Sequence, residues 1–424
     1  MVALSRTDPQ PDGNTIREVE RLFEEAIAAA DLTLVLAGFL ARFGYQMARS
    51  PVLPRFAQDL GASPELLGLI FAASTITGVV IKLPAGALSD VLGRKRMMLL
   101  GCLFFAAPPF LYPFVRSPGA LLALRFLHGF ATAIFSPVAS AFVANLFARG
   151  RGQKLGWFAS ANDLGGTLGP LLGGLLLFFT ASYPITYLTV GVLGLLPLAI
   201  ILRLPEDRTP RPASSTLGAS SQRFWMGIRE VASSRAVVIA SVLEAAMYVG
   251  YGAFLGFFPP YAQGIGLNDA QISLVLGAQL ATTMVAKPLG GWLSDRVGRK
   301  PMILAGLFLC ALMLPAVPAV TSIWLLFPVS ALFGLGVAIV TPSTTALVAD
   351  LVKVGRMGSA MGVYGTIWDC GEAAGPILAG VLIASLSYAP AFGLIAAFMA
   401  LVAIIFLVAV KDPTAAVAAA DGSV

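Results

Sequence analysis

Gly86-Ala-Leu-Ser-Asp90-Val-Leu-Gly93-Arg94-Lys95 returns as Gly291-Trp-Leu-Ser-Asp295-Arg-Val-Gly298-Arg299-Lys300, 205 residues further along the chain. Comparing Gly86 to Gly101 with Gly291 to Gly306, about ten of sixteen positions are identical. A repeat at nearly half the chain length means two copies of one structural unit. Each copy ends one long apolar run and precedes another. A polar, cationic, glycine-bearing decamer in that setting reads as a tight cytoplasmic turn between two membrane helices.

The repeat continues beyond these loops. Asp163-Leu-Gly165-Gly-Thr-Leu-Gly169-Pro170 matches Asp369-Cys-Gly371-Glu-Ala-Ala-Gly375-Pro376, Gly129 and Pro137 match Gly334 and Pro342, and Lys82 matches Lys287. Composition agrees: 57% of the 424 residues are hydrophobic and 12% charged, against roughly 25% charged in soluble domains. Apolar runs of ~20 residues can each cross ~30 Å of hydrocarbon. They begin near Leu32, Pro64, Met97, Gly119, Leu155, Pro184, Ala236, Asp269, Met302, Ser322, Gly358 and Ala389. The expected fold is therefore an all-α membrane protein with twelve transmembrane helices in two pseudo-symmetric six-helix bundles, residues 31–204 and 236–411. A polar, Pro- and Ser-rich linker (205–235) joins them, a cytoplasmic amphipathic lead-in (1–30) precedes them, and a tail (412–424) follows. A large soluble core is excluded.

Charge orients the bundle. Of the 28 Lys and Arg, 21 fall in the N-terminal arm, the loops on one side, or the tail, while the opposite loops carry only Arg49, Arg55 and Arg116. The positive-inside rule then predicts that both termini are cytoplasmic, in a multi-pass protein of the cell inner membrane. Loop cationicity accounts for a pI of about 9.3, so no nucleic-acid partner is implied. The bilayer is the expected surrounding, and a monomer the expected state. Cys102, Cys310 and Cys370 lie inside spans at no metal spacing, and His128 is the single histidine. Neither a metal site nor a cofactor is expected. Without a nucleophile–base or ligand constellation, the chain does not read as an enzyme.

Each motif has a physical reading. Gly93 and Gly298 supply a backbone able to turn tightly. Arg94 and Arg299 hold the turn at the anionic interface. Asp90 and Asp295 stand where a carboxylate can meet the amides of a neighbouring helix N-terminus. With Gly86 and Gly291 they form a candidate conformational latch. In the fifth span, Gly165, Gly169 and Gly173 allow close helix approach and Pro170 bends the helix, which suits a seal between the halves.

These motifs, with Arg125-Phe-Leu-His-Gly129 in the fourth span, resemble the major facilitator superfamily. Gly165 to Gly174 is similar to the glycine-proline motif of its twelve-helix drug:proton antiporter branch. The resemblance implies transport by alternating access, a latch that joins the halves in the outward-open state, a small-molecule substrate and coupling to protons. The chain departs from that branch in one respect. The acid often found within the first helix is absent there, Asp31 sits only at its entrance, and the charge at mid-depth is Arg42.

Ionisable groups at membrane depth are costly and point to function. At ~1.5 Å per residue, Arg42 lies about 15 Å into the first span. Arg42 and Glu244 occupy symmetry-related spans and are expected to pair across the central cavity. Arg125 and His128, three apart, share a face. Asp369 and Glu372 also share one, and two close carboxylates in low dielectric cannot easily both ionise. With Asp163 they are the proton-coupling candidates. Lys82 and Lys287 lie nearer the cytoplasmic ends and read as structural, snorkelling cations. Tyr45, Tyr248, Tyr251 and Trp368 offer aromatic surface for an amphipathic substrate. The expected function is proton-coupled efflux of small amphipathic compounds. The alternatives are an organic-anion or zwitterion carrier using Arg42 and Arg125, and a non-transporting membrane sensor.

Overall fold

The computed structural model describes residues 32–146, 151–204, 235–351 and 357–409. The lead-in, the tail and nearly all of the linker lie outside the described residues. Every described element is helical. Helix α1 spans 32–47 and a turn at 48–50 leads into α2 (Val52–Asp59). Then follow α3 (Pro64–Leu92), α4 (Arg94–Ala106), a 3₁₀ segment (Pro108–Phe114), α5 (Pro118–Leu146), α6 (Arg151–Thr180) and α7 (Tyr183–Leu202). The second half contains α8 (Arg235–Gly264), α9 (Asp269–Val297), α10 (Arg299–Ala316), α11 (Ile323–Leu351), α12 (Met357–Leu386) and α13 (Tyr388–Ala409). Among the described residues, eleven helices are long and apolar enough to cross a membrane. Helix α1, at sixteen residues, is not counted among them.

Local chemistry repeats with the sequence. The side chain of Ser63 caps α3 by accepting from the Leu66 amide at 3.4 Å. Its counterpart Asn268 caps α9 in a reciprocal box with Gln271, satisfying amides that a helix start leaves free. Prolines inside the helices recur at equivalent places, Pro137 with Pro342 and Pro170 with Pro376. Membrane helices tolerate them because neighbouring helices re-satisfy the freed carbonyls.

The halves meet along two seams, α3 against α12 and α6 against α9. At the end away from the cationic loops the seams are closed. A Cβ on Gly68 would lie 2.2 Å from the Pro376 carbonyl oxygen, and one on Gly380 would lie 2.4 Å from that of Pro64. At the cationic end, Gly86, Gly156 and Gly362 have no such neighbour within 4 Å. The halves are clamped together at the end away from the cationic loops.

Candidate functional site at the interface of the halves

Each repeated loop folds about one residue. Gly93 (φ 96°) ends α3 and begins α4, and Gly298 (φ 106°) does the same between α9 and α10. Only glycine adopts that backbone without strain. The cations follow as the first turn of the next helix, so these helices start earlier than the apolar runs do. The Lys95 ammonium donates to the carbonyls of Leu202, at 3.0 Å, and Leu204 at the end of α7. Its repeat Lys300 donates to Leu407 at 2.9 Å, near the end of α13. Each lysine thus caps the last helix of its own half, where unpaired carbonyls and the helix dipole favour a cation. Sequence reading missed this role. Asp295 pairs with Arg299, which also reaches Asp350 at 3.1 Å in the same half. The Asp90 side chain lies outside the described residues.

Ion pairs across the halves form the site. Lys82 on α3 pairs with Asp369 on α12, and Lys287 on α9 pairs with Asp163 on α6 at 2.9 Å. These are one contact made twice: the lysines are repeat mates, and so are the aspartates. Both lysines stand ten residues before the end of their helix and both aspartates twelve after the start of theirs. At ~1.5 Å per residue, the pairs sit about 15–18 Å from the cationic end. Further from that end, Arg49 binds Glu372 at 2.7 Å and is held by Thr75 and the face of Phe71. Near the closed end, Arg55 pairs with Asp269. Every one of these pairs joins an N-half cation to a C-half acid or the reverse.

The geometry corrects several expectations. Lys82 and Lys287 do not snorkel outward; they bridge the halves. Asp369 and Glu372 share a helix face, but each carboxylate meets its own cation. Arg49 and Arg55 were visible in the sequence as isolated cations on the cation-poor side, yet only the fold brings Glu372 and Asp269 to them. The Arg42–Glu244 pair does not form. Arg42 is half-buried near Gly166, its Nε 3.7 Å from where a Cβ on that glycine would stand. It makes no ion pair among the described residues. Glu244 is fully buried and accepts from Thr344 within its own half.

Arg125 and His128 also leave the cavity. Both are fully buried inside the N-terminal half. Arg125 donates to Ser74 at 2.7 Å and to the Tyr112 hydroxyl at 3.4 Å, and His128 Nδ1 lies 3.1 Å from that hydroxyl. Tyr45 is buried with them, its ring 5.0 Å from that of His128. By contrast Tyr248, Tyr251 and Trp368 are half-buried beside the seam, with Tyr248 5.5 Å from Tyr251 and 5.0 Å from Trp368 between ring centres. The glycine ladder faces α1 of its own half, not the opposite half. Cβ atoms on Gly165, Gly169 and Gly173 would lie 2.7, 2.6 and 2.4 Å from the carbonyl oxygens of Phe39, Phe43 and Met47. Their repeat mates Gly371 and Gly375 meet α8 in the same way, at Ala245 and Val249.

Two duplicated helical halves, meeting along two charged seams beside a half-buried aromatic wall, have the architecture of a membrane transporter. The chain belongs to the Major Facilitator Superfamily, whose family model matches residues 34–268 and 240–423. It is 26% identical over 377 residues to an uncharacterised MFS-type transporter of Methanocaldococcus jannaschii, covering 88% of this chain and 94% of that one. It is 25% identical over 352 residues to the multidrug resistance protein MdtG of Enterobacter lignolyticus, covering 81% and 83%. Among solved structures it is similar to the nucleoside transporter NupG (TM-score 0.73, 14% identity, 90% of this chain and 100% of that one). It is also similar to a bacterial homologue of the human lysosomal transporter Spinster in an inward-facing, occupied form (TM-score 0.75, 14% identity, 90% and 96%). The family and these relatives are transporters, not enzymes.

Proposed function

We propose that this protein exports small amphipathic compounds by alternating access, driven by protons. The cationic end is the cytoplasmic one and holds both termini. Residues 32–47, continued through the turn into α2, form a twelfth span, and the state described is inward-open. The observation that carries the reading is the distribution of the cross-half ion pairs. They run from mid-depth to the closed end and must all break for the halves to rock the other way. Asp163, Asp369 and Glu372 then act as locks whose release accompanies the turnover. The Asp295 loop, paired internally at Arg299 in this state, and its repeat at Asp90 engage the opposite half when it closes.

The half-buried wall of Tyr248, Tyr251 and Trp368 supports an amphipathic substrate, as does the likeness to MdtG proteins named for multidrug resistance. Purified protein in proteoliposomes tests this. An imposed pH gradient should drive accumulation of an amphipathic fluorescent cation such as ethidium, and no accumulation with or without the gradient would overturn it. Arg42, without an ion pair among the described residues, favours a second reading in which the substrate carries an anionic group. In that case counterflow of an aromatic carboxylate should be seen and should fail in Arg42→Met. Counterflow of neither class would favour a sensor that does not transport. Arg125, enclosed in its own half, has no part in either reading of the cavity.

A further inference from the structure

Glu244 is fully buried on α8, and no cation bonds it among the described residues. Thr344 donates to one carboxyl oxygen, while Oε1 has no hydrogen-bond partner. An ionised carboxylate left so would bear most of its desolvation cost uncompensated. The acids of the seams differ, since Asp163, Asp369 and Glu372 each have a lysine or arginine.

A row of hydroxyls leads to Glu244. Thr344 Oγ1 lies 3.0 Å from the Tyr364 hydroxyl, which lies 3.1 Å from Thr345 Oγ1. Thr345 is half-buried, six residues before the end of α11 at the cationic end. Each hydroxyl has acceptors to turn between: Thr344 also reaches the Val340 carbonyl at 2.9 Å, and Thr345 that of Thr341 at 2.8 Å. They can therefore reorient as a proton passes.

We propose that Glu244 is the proton-binding carboxylate of the transport cycle, loaded and unloaded through Thr345, Tyr364 and Thr344 from the cationic end. This rests on the proton-coupled reading above. In loading, a hydronium ion at Thr345 gives up one proton and leaves as water. Each hydroxyl accepts a proton on one side and releases its own on the other, and the carboxylate becomes the acid. No hydroxyl changes charge. The groups facing Glu244 are Tyr248 on its own helix, Thr344 on α11, Tyr364 on α12 and, through its field, Lys287 on α9. Helix α13 contributes no charged side chain. Lys287 is already bound to Asp163 across the halves. When Glu244 gives up its proton, it competes with Asp163 for that lysine, which loosens one seam. Proton occupancy is thereby tied to the state of the halves.

Infrared difference spectra of the lipid-reconstituted protein between acid and alkaline buffer test the assignment without a substrate. A carboxylic-acid C=O band should be present and should be lost in Glu244→Gln, but retained in Asp369→Asn and Glu372→Gln. Thr344→Val and Tyr364→Phe keep the carboxyl and delete a donor near it, so they should shift the band even if Glu244→Gln fails to fold. With ethidium as the probe, Glu244→Gln should lose accumulation driven by the pH gradient. A band unchanged in Glu244→Gln, a band lost in Glu372→Gln or Asp369→Asn instead, or gradient-driven accumulation preserved in Glu244→Gln would each overturn the proposal. If the wild type moves no ethidium, the export reading fails, while the infrared result still decides the proton site.

Discussion

The two halves share a backbone plan but differ in what they bury. The N-terminal half encloses a cation, Arg125, with His128, Tyr112 and Ser74 around it. The positions 205 residues further on hold Ser330 for Arg125, Phe333 for His128 and Gln279 for Ser74. The C-terminal half instead encloses an acid, Glu244, among Thr344 and Tyr364, and its counterpart in the first half, in the register by which Gly165 meets Phe39 and Gly371 meets Ala245, is Gly38. At the surfaces where the halves meet, the repeat has kept part of its chemistry: Lys82 and Lys287, with Asp163 and Asp369, do the same work twice. The difference teaches that the symmetry of the repeat does not extend to the charges sealed inside each half. A charge sealed in one core is free to diverge, because it is answered by its own neighbours and not by the other half.

That comparison is open to attack, most strongly at the unduplicated pair. Arg49 and Glu372 have no repeat mates of matching charge, since Phe254 stands at the position equivalent to Arg49. Arg49→Met leaves Glu372 largely buried without its cation and should cost roughly 3–5 kcal/mol where the pair is dry. Thermal unfolding in detergent should show the loss, and exchanging the charges of Arg49 and Glu372 should recover part of it. An unchanged unfolding temperature would mean water already screens this seam.

Duplicated positions should respond alike. Gly169→Val and Gly375→Val each place side-chain atoms against a carbonyl of the neighbouring helix, Phe43 and Val249 respectively. Overpacking of this kind costs about 1–3 kcal/mol, and the two variants should unfold at similar temperatures. A large disparity would show that α1 and α8 are not held equivalently.

Lys82→Met and Lys287→Met probe the seams themselves. Lys287 and Asp163 are both substantially exposed, so Lys287→Met should weaken the clamp by no more than ~1 kcal/mol. Asp369 is only 8% exposed, so Lys82→Met leaves a largely buried carboxylate and should weaken it more. Cysteine accessibility measured from the two faces of the membrane should shift toward the outward-open form in both variants, more in Lys82→Met, and further in the double variant. A shift in only one would mean that the two crossings are not equivalent.

The smallest effect belongs to the loops. Lys95→Ala and Lys300→Ala remove a cation from a helix C-terminus, worth about 0.3–1 kcal/mol. Hydrogen exchange at the ends of α7 and α13 should rise in each variant respectively. If exchange rises instead at the opposite half, the lysines serve the latch and not their own bundle.

The repeat, the apolar run lengths and the position of each glycine hinge were legible in the amino-acid order, because helix formation in a membrane depends on local hydropathy and backbone freedom. The recurrence of Lys82 as Lys287 and of Asp163 as Asp369 was equally visible. What the order of residues could not show was that each lysine belongs to the aspartate of the other repeat, 287 residues away in one case and 124 in the other. Pairing depends on which helices cross and at what depth, and these follow from packing over the whole molecule. The same reason separated Arg42 from Glu244 and turned the Gly165–Gly173 ladder toward α1. Helical spacing fixes which residues share a face, but only the assembled bundle decides what that face meets.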